Sequence, residues 1–262
     1  MIRLEQIQHF FPAQVQGNPE RRKSMVKEYI QLMMLDYLAT TPHIKKIALI
    51  GGTCLRLVKG VDRFSEDLDF DCKHLSRQEF SDMAEDVLAF LKRSGLRAEA
   101  RETASSKLKA FRKNIYFPEL LFELGLSGYR EERFLIKMEG EGQDQGVSYR
   151  PTVANIRGCG FFFPFPVPPD EILCAMKLSA LLARQKGRDF YDAMFLLALA
   201  KPDYAYLTQK QNIGSWPELK EALLEVLKKV DLEKKSQDFK HLTFQKDGNE
   251  ILLFKEFILS LG

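Results

Sequence analysis

Six residues of this 262-residue chain, Asp67-Leu-Asp-Phe-Asp-Cys72, alternate carboxylates with apolar side chains. A period of two is the mark of a β-strand, because successive side chains point to opposite faces. Leu68, Phe70 and Cys72 then bury one face, and Asp67, Asp69 and Asp71 share the other. Carboxylates held side by side repel one another unless a cation lies between them. The cation that suits them is a hard divalent ion with oxygen ligands, Mg2+ or Mn2+, which completes its shell with water and phosphate oxygens. Such a strand is half core and half ion site, so it constrains both the fold and the chemistry.

The residues before it extend the pattern. Ile44 to Ile50 is a short, β-branched apolar run and predicts a buried strand. Gly51-Gly-Thr53 predicts a tight turn, and Thr53 to Lys59 a short helix stopped by Gly60. A glycine pair between strand and helix lets backbone N–H groups and the helix N-terminus approach a phosphate closely. Thr53 adds a hydroxyl. Ser65, two residues before Asp67, offers a second hydroxyl to the phosphates, and a negative modification there would oppose binding. Gly-Gly-Thr and Asp-x-Asp are each common in ordinary turns and solvated strands. Strand, Gly-Gly-Thr, short helix and Arg63-Phe-Ser-Glu-Asp-Leu-Asp-Phe70, in that order, are far more specific.

Elsewhere, Ile30, Met33, Met34, Tyr37 and Leu38 predict a helix over residues 20–40, closed by Pro42. Ser76, with Glu79 three residues on and Gly95 at the far end, frames an amphipathic helix. Candidate strands follow at Arg97–Thr103, Ala110–Tyr116, Leu120–Leu126, Phe134–Glu141 and Val147–Val153. Residues 160–169, rich in proline and phenylalanine, read as a linker. Helices are predicted at Asp170–Gln185, Arg188–Ala200, Trp216–Lys229 and Glu250–Leu261. The fold class is therefore α+β. An α/β domain over residues 1–160, a mixed sheet with flanking helices, precedes a helical domain over 165–262, and the expected active site lies in the cleft between them.

Composition narrows the function classes. The chain carries 39 basic and 36 acidic side chains, a net charge of +3, too small by itself to demand a nucleic-acid partner. Local basic clusters are Lys107, Lys109, Arg112 and Lys113, with Phe111 and Tyr116 nearby, and Lys220, Lys228 and Lys229. The first reads either as a surface tracking an RNA backbone or as a solvated hairpin. Cys54, Cys72, Cys159 and Cys174 show neither zinc-site spacing nor a disulfide framework, and His9, His43, His74 and His241 are scattered. Charged residues interrupt the N-terminus before any signal-like apolar stretch, and no run reaches the roughly 18–20 apolar residues of a membrane helix. The expectation is a cytoplasmic protein with no membrane partner.

A second block lies in the helical region. Lys177 and Arg184 are about two turns apart on one predicted helix and share a face. Asp189 and Asp192 share a face in Arg188-Asp-Phe-Tyr-Asp192, which opens the next helix. A lysine and an arginine can neutralise triphosphate charge in a transition state. Equally, an Arg–Asp pair can simply lock two helices together.

These two blocks resemble the nucleotidyltransferase core of the AbiEii/AbiGii toxin family, within the DNA-polymerase-beta-like superfamily. Its members are toxins of type IV toxin–antitoxin and phage-defence systems. They show Gly-Gly-[Thr/Ser]-Ala-Leu, then Arg-Phe-Ser-x-Asp-x-Asp-Phe, then a helix with a Lys and an Arg-Asp-x-Tyr-Asp opening the next. Here Cys54 stands where the family has Ala, the two blocks span about 140 residues, and the last 60 or so carry no matching motif. The resemblance implies that a hydroxyl attacks the α-phosphate of an NTP and pyrophosphate leaves. Asp67 and Asp69 would hold the metal, and a third acid on a neighbouring strand would join them. Glu139 is the candidate for that acid, in a run whose Lys137, Glu139 and Glu141 alternate onto one face; Glu123 is the other option. Lys177 and Asp189 would complete the catalytic set. Gly51, Gly52, Thr53, Ser65, Lys177 and Arg188 would bind the nucleotide. Some family members resemble tRNA-modifying enzymes, so a tRNA 3′ end is the expected acceptor and a separately encoded antitoxin the expected partner. Two alternatives stay open: a protein nucleotidylyltransferase (AMPylator-like) modifying a Ser, Thr or Tyr hydroxyl, and a catalytically silent nucleotide-binding regulatory module. The intact Asp-x-Asp argues against silence.

Overall fold

The computed structural model describes residues 2–101, 111–142, 147–244 and 249–261. In chain order the elements are α1 (Leu4–Gln8), α2 (Ala13–Gln16), α3 (Pro19–Ala39), β1 (Ile47–Ile50), α4 (Gly51–Lys59), β2 (Asp67–Cys72) and α5 (Arg77–Arg93). Then come β3 (Glu99–Arg101), β4 (Phe111–Tyr116), α6 (Leu120–Glu123), β5 (Leu135–Gly142), β6 (Thr152–Gly158) and β7 (Phe161–Val167). Helices α7 (Asp170–Arg184), α8 (Gly187–Leu197), α9 (Tyr204–Gln211), α10 (Trp216–Leu227), α11 (Leu232–Phe239) and α12 (Phe254–Ser260) complete the chain. The fold is α+β. The chain forms two compact units: Met1–Gly60, Phe64–Gln143 and Thr152–Val167 in the first, and Val61–Arg63, Asp144–Pro151 and Pro168–Gly262 in the second.

The first unit is organised by a five-stranded sheet in the order β1-β2-β5-β4-β3. Only β2 and β5 run parallel; the other neighbours are antiparallel. The alternation in β2 works as its sequence dictates: Leu68, Phe70 and Cys72 are buried. Helix α5 lies over this apolar face. A reciprocal cap fixes its start, with Ser76 Oγ accepting from Glu79 N at 3.2 Å and Glu79 Oε2 from Ser76 N at 2.8 Å. Its buried stripe is Phe80, Met83, Ala84, Val87, Leu88 and Leu91. A Cβ at Gly140 of β5 would come within 2.7 Å of the Phe80 ring and 2.9 Å of Cys72 Sγ, so the helix packs directly on that strand's backbone. Helix α3 begins at Pro19, with Asn18 Oδ1 accepting from Glu20 N at 2.9 Å.

Two segments depart from the expected elements. Leu120–Leu126, predicted as a strand, forms the short helix α6. Glu119 and Gly125 both take positive φ, 61° and 67°, and bracket one turn closed by Glu123 N to Glu119 O and Leu124 N to Leu120 O. Periodicity cannot distinguish strand from helix in so short an apolar run. Residues 160–169, predicted as a linker, contain β7, which pairs with β6 as a hairpin. The strand expected at Val147–Val153 accordingly starts only at Thr152. Cys159 and Gly160, with φ of 50° and 85°, form its two-residue turn, the arrangement that matches strand twist. Phe163, Phe165 and Val167 point inward, while Pro164 and Pro166 alternate outward on a strand with no neighbour but β6, where a missing N–H costs no ladder bond.

In the second unit, α7 and α8 form the centre of the helical packing. Leu173, Leu178, Leu181, Phe190, Ala193 and Leu196 are wholly buried, and Phe190 meets Phe254 of α12 edge-on at 5.1 Å. Helix α8 starts hard against α11: a Cβ on Gly187 would lie 2.0 Å from the carbonyl oxygen of Lys235. Because the obstacle is backbone, it cannot swing aside. Gly187→Ala should therefore lower the denaturation midpoint at an unchanged m-value, by about 3 kcal/mol, the upper end for overpacking. A stability equal to the parent's in urea unfolding would show that α8 and α11 slide apart freely.

Candidate active site

The carboxylate face of the sheet draws residues from three strands. Parallel register sets Asp67 beside Lys137 and Asp69 beside Glu139, and antiparallel register sets Arg112 beside Glu139. All five therefore project opposite Leu68, Phe70 and Met138. Lys137 Nζ donates to Asp67 Oδ2 at 3.4 Å and lies 3.4 Å from Glu139 Oε1. Arg112 Nε is 2.9 Å from the same Glu139 oxygen, an ion pair without the alignment of a hydrogen bond.

The turn between β1 and α4 closes on this face. Ile50, the last residue of β1, is the register partner of Asp69. Gly51 has a φ of 74°, and a Cβ there would lie 2.1 Å from Asp69 Oδ2. Glycine is thus required twice, for the left-handed backbone and for the approach of the carboxylate. The N-cap of α4 is Ile50, whose apolar side chain cannot cap the helix start. Gly52 is buried in that first turn. Thr53, expected to present its hydroxyl to phosphates, instead donates it to the Asp67 carbonyl at 2.5 Å and is buried. The hydroxyl pins α4 to the first residue of β2. Ser65 is also buried, and its carbonyl accepts from Gln31 Nε2 at 3.3 Å.

The donor set bears on the metal. Asp67 and Asp69 offer carboxylate oxygens from one strand face, which fits an ion that takes one or two protein carboxylates and fills its shell with water and phosphate. Glu139, expected as the third ligand, is the register partner of Asp69. Glu139 is drawn to Arg112 and Lys137, and among the described residues no three His, Cys, Asp or Glu side chains are gathered to hold a metal. Glu123, the other option, lies on α6 and approaches Arg97 at 3.6 Å. The side chain of Glu141 lies outside the described residues.

In the second unit, Lys177 Nζ donates to Asp192 Oδ2 at 2.8 Å. Arg63, from the same motif as Asp67, grips Asp192 with two bonds, Nε to Oδ1 and Nη2 to Oδ2, both 2.7 Å. The three side chains are almost entirely removed from water. Burial alone would raise the Asp192 carboxyl, but the charges and hydrogen bonds of Arg63 and Lys177 outweigh it and hold it at about 2. Asp189, expected with Lys177 in the catalytic set, accepts from Arg184 at 2.9 and 2.7 Å, and its Oδ2 also accepts from Lys186 N at 3.1 Å. Asp189 thus closes the corner between α7 and α8. Arg188, beside it, is half-buried. Arg63 is the residue of this trio to which the sequence assigns no role, whereas Asp192 stands there between a helix-locking pair and a functional acid. The i, i+3 relation of Asp189 and Asp192 put both on one face but did not say which would reach the lysine.

The two basic clusters are described in part. Lys107 and Lys109 lie outside the described residues. Arg112 faces the carboxylates, while Lys113, its neighbour on the strand, is buried on the opposite face with Glu85 at 3.5 Å. Lys220 Nζ donates to the carbonyl of Leu261 at 3.1 Å, and Lys228 pairs with Glu225.

The Asp192 trio carries a stability consequence. Its carboxyl is depressed in the folded state, so its contribution is full above the ordinary value of 3.8 and is lost as pH falls through about 2. Asp192→Asn should destabilise by about 3–5 kcal/mol at neutral pH, because Arg63 and Lys177 stay buried without their counter-charge. It should also flatten the acid limb between about pH 4 and 2. Urea denaturation across pH measures both, and an unchanged neutral stability would show that the trio contributes nothing to the fold.

Comparison with known proteins bears on this geometry. The chain matches the family model described as nucleotidyl transferase AbiEii toxin, type IV toxin–antitoxin system, over residues 33–252. Among solved structures, the nucleotidyltransferase toxin MenT4 from Mycobacterium tuberculosis is similar, with a TM-score of 0.62 and 17% identity, covering 100% of this chain and 91% of that one. JHP933 from Helicobacter pylori is similar with a TM-score of 0.56 and 21% identity, covering 90% of each chain. At such identities these two speak for the fold alone. No curated protein matches the sequence. The family match takes in the Gly51 turn, the Asp67–Asp69 strand face and the Arg63–Asp192–Lys177 trio, and it extends over most of the chain: this protein belongs to the AbiEii family of nucleotidyltransferase toxins of type IV toxin–antitoxin systems.

Proposed function

We propose that the chain moves a nucleoside monophosphate from an NTP to the terminal hydroxyl of a tRNA, with Asp67 and Asp69 holding Mg2+ or Mn2+. Family membership supplies the coarser part, an NTP substrate and an antitoxin partner. The observation that carries the site is the approach of Asp69 to the α-carbon of Gly51, which brings an acid pair and an uncapped helix start together. The N–H groups at Gly51 and Gly52 are suited to phosphate oxygens, and the partial positive charge of the helix start favours them. A bound divalent ion would polarise the α-phosphate and lower the pKa of the attacking hydroxyl. Lys177 and Arg188 would offset triphosphate charge, with Asp192 fixing the position of the Lys177 ammonium and Asp189 holding the corner that carries Arg188. Thr53 acts through the backbone, by anchoring α4 to Asp67. Glu139 acts through its cationic neighbours rather than as a primary ligand. Ser65 stands two residues before Asp67 in the chain, and a negative modification there would oppose nucleotide binding. The active toxin would act in the cytoplasm, in phage defence, until its separately encoded antitoxin neutralises it. No helix among the described residues is long and apolar enough to cross a membrane.

The reading is tested with labelled NTPs, Mg2+ and total RNA. Label should enter the tRNA band with the parent protein and fall at least 100-fold, about 3 kcal/mol of transition-state stabilisation, with Asp67→Asn or Asp69→Asn. Circular dichroism should show both variants folded. Transfer at the parent rate by either variant removes the acids from the chemistry. Label in protein with the RNA clean makes the acceptor a protein hydroxyl. In cells, expression without antitoxin should slow growth, and Asp69→Asn should relieve it; inhibition that persists in that variant would mean toxicity does not come from nucleotidyl transfer.

A further inference from the structure

Lys137 bridges two acids of the carboxylate face. Its Nζ is 3.4 Å from Asp67 Oδ2 on β2 and 3.4 Å from Glu139 Oε1 on its own strand. Strand register makes this position obligatory, because Lys137 is the Cα partner of Asp67 and lies two residues before Glu139 on the same face. The side chain is 30% exposed, so the stem is held while the ammonium keeps a route to water. Arg112 stands beside Glu139 as well, so Lys137 shares that acid and reaches Asp67 in addition. A divalent ion on Asp67 would stand a few ångströms from the like charge of this ammonium.

We propose that Lys137 is the internal counter-ion of this face and couples metal binding to nucleotide binding. Without metal, Lys137 occupies the oxygens of Asp67 and Glu139 and keeps the acids from repelling one another. A metal ion binding alone must displace it, which weakens that binding. When a triphosphate arrives with the metal, the displaced ammonium gains a new anionic partner, and its flexible four-carbon stem lets it turn there without backbone movement. The same charge therefore opposes the bare ion and favours the ion with its nucleotide. By linkage each ligand tightens the other to the same degree. Arg112 contributes less to this exchange, because its ion pair reaches Glu139 and neither aspartate. The inference rests on Asp67 and Asp69 being the metal-binding pair, and the test separates the two.

The experiment measures free Mn2+ by electron paramagnetic resonance, with the full chain, in the absence and presence of a non-hydrolysable NTP analogue. Removing one positive charge a few ångströms from the ion should tighten binding of bare Mn2+ by roughly tenfold in Lys137→Met. That variant should also lose most of the tightening that the analogue produces in the parent. Lys137→Arg, which keeps the charge, should behave like the parent in both arms. A merely structural lysine would give the opposite sign, since disturbing the face would weaken Mn2+ binding. Lys137→Met binding bare Mn2+ no better than the parent, with the analogue's effect intact, overturns the coupling. The double variant Asp67→Asn, Asp69→Asn is the control. If Mn2+ binding survives there, or is absent from the parent, the metal assignment itself falls. If it is lost there but unaltered in Lys137→Met, only the role of Lys137 falls. Should Lys137→Met fold poorly, Lys137→Gln carries the same expectation.

Discussion

The carboxylate of Asp69 lies against the α-carbon of Gly51 with no room for even a methyl group between them. Much of the first unit's active face follows from that contact. It requires β1 to end beside Asp69, the chain to turn at a positive φ and α4 to begin at once. A helix that starts there brings the partial positive charge of its terminus near Asp69, which eases the repulsion between Asp67 and Asp69. Thr53 secures the arrangement from the other side by hydrogen bonding the backbone of Asp67. One turn thereby brings a helix start and two carboxylates together.

A second constraint operates within the helical unit. Arg63, Asp192 and Lys177 are two cations on one acid, nearly without water. Such a group gains little over well-packed apolar side chains, yet loses heavily if one member is missing. Its value is in specifying position: a lysine ammonium is mobile by nature, and a buried carboxylate already gripped by an arginine holds it in one place. Arg63 lies four residues before Asp67 in the chain, so the motif that supplies the acids of the first unit also supplies a cation of the second.

The charges near the acids are arranged for exchange rather than for permanence. Lys137 and Arg112 pair with Asp67 and Glu139, and both are partly open to water. Partly exposed ion pairs are weak enough to be broken by a stronger ligand, unlike the buried trio. The difference in burial marks which charges are scaffold and which are free to respond to a substrate.

The sequence by itself determined whatever repeats within a few residues. The alternation of Asp67 to Cys72 required a two-faced strand, Ser76 and Glu79 required a helix start, and Gly51-Gly-Thr53 followed by Arg63-Phe-Ser-Glu-Asp-Leu-Asp-Phe70 was legible as a family pattern. These depend on backbone geometry, which each residue carries with it. Tertiary structure alone decided the rest. Leu120–Leu126 became a helical turn because of the left-handed residues around it, and the prolines of β7 joined a hairpin because that strand has a single neighbour. Thr53 gave its hydroxyl to a carbonyl 14 residues away, Lys177 took Asp192 rather than Asp189, and Arg63 found its partner 129 residues on. Choices of partner depend on strand register, helix packing and the exclusion of water, and these exist only once distant segments have come together.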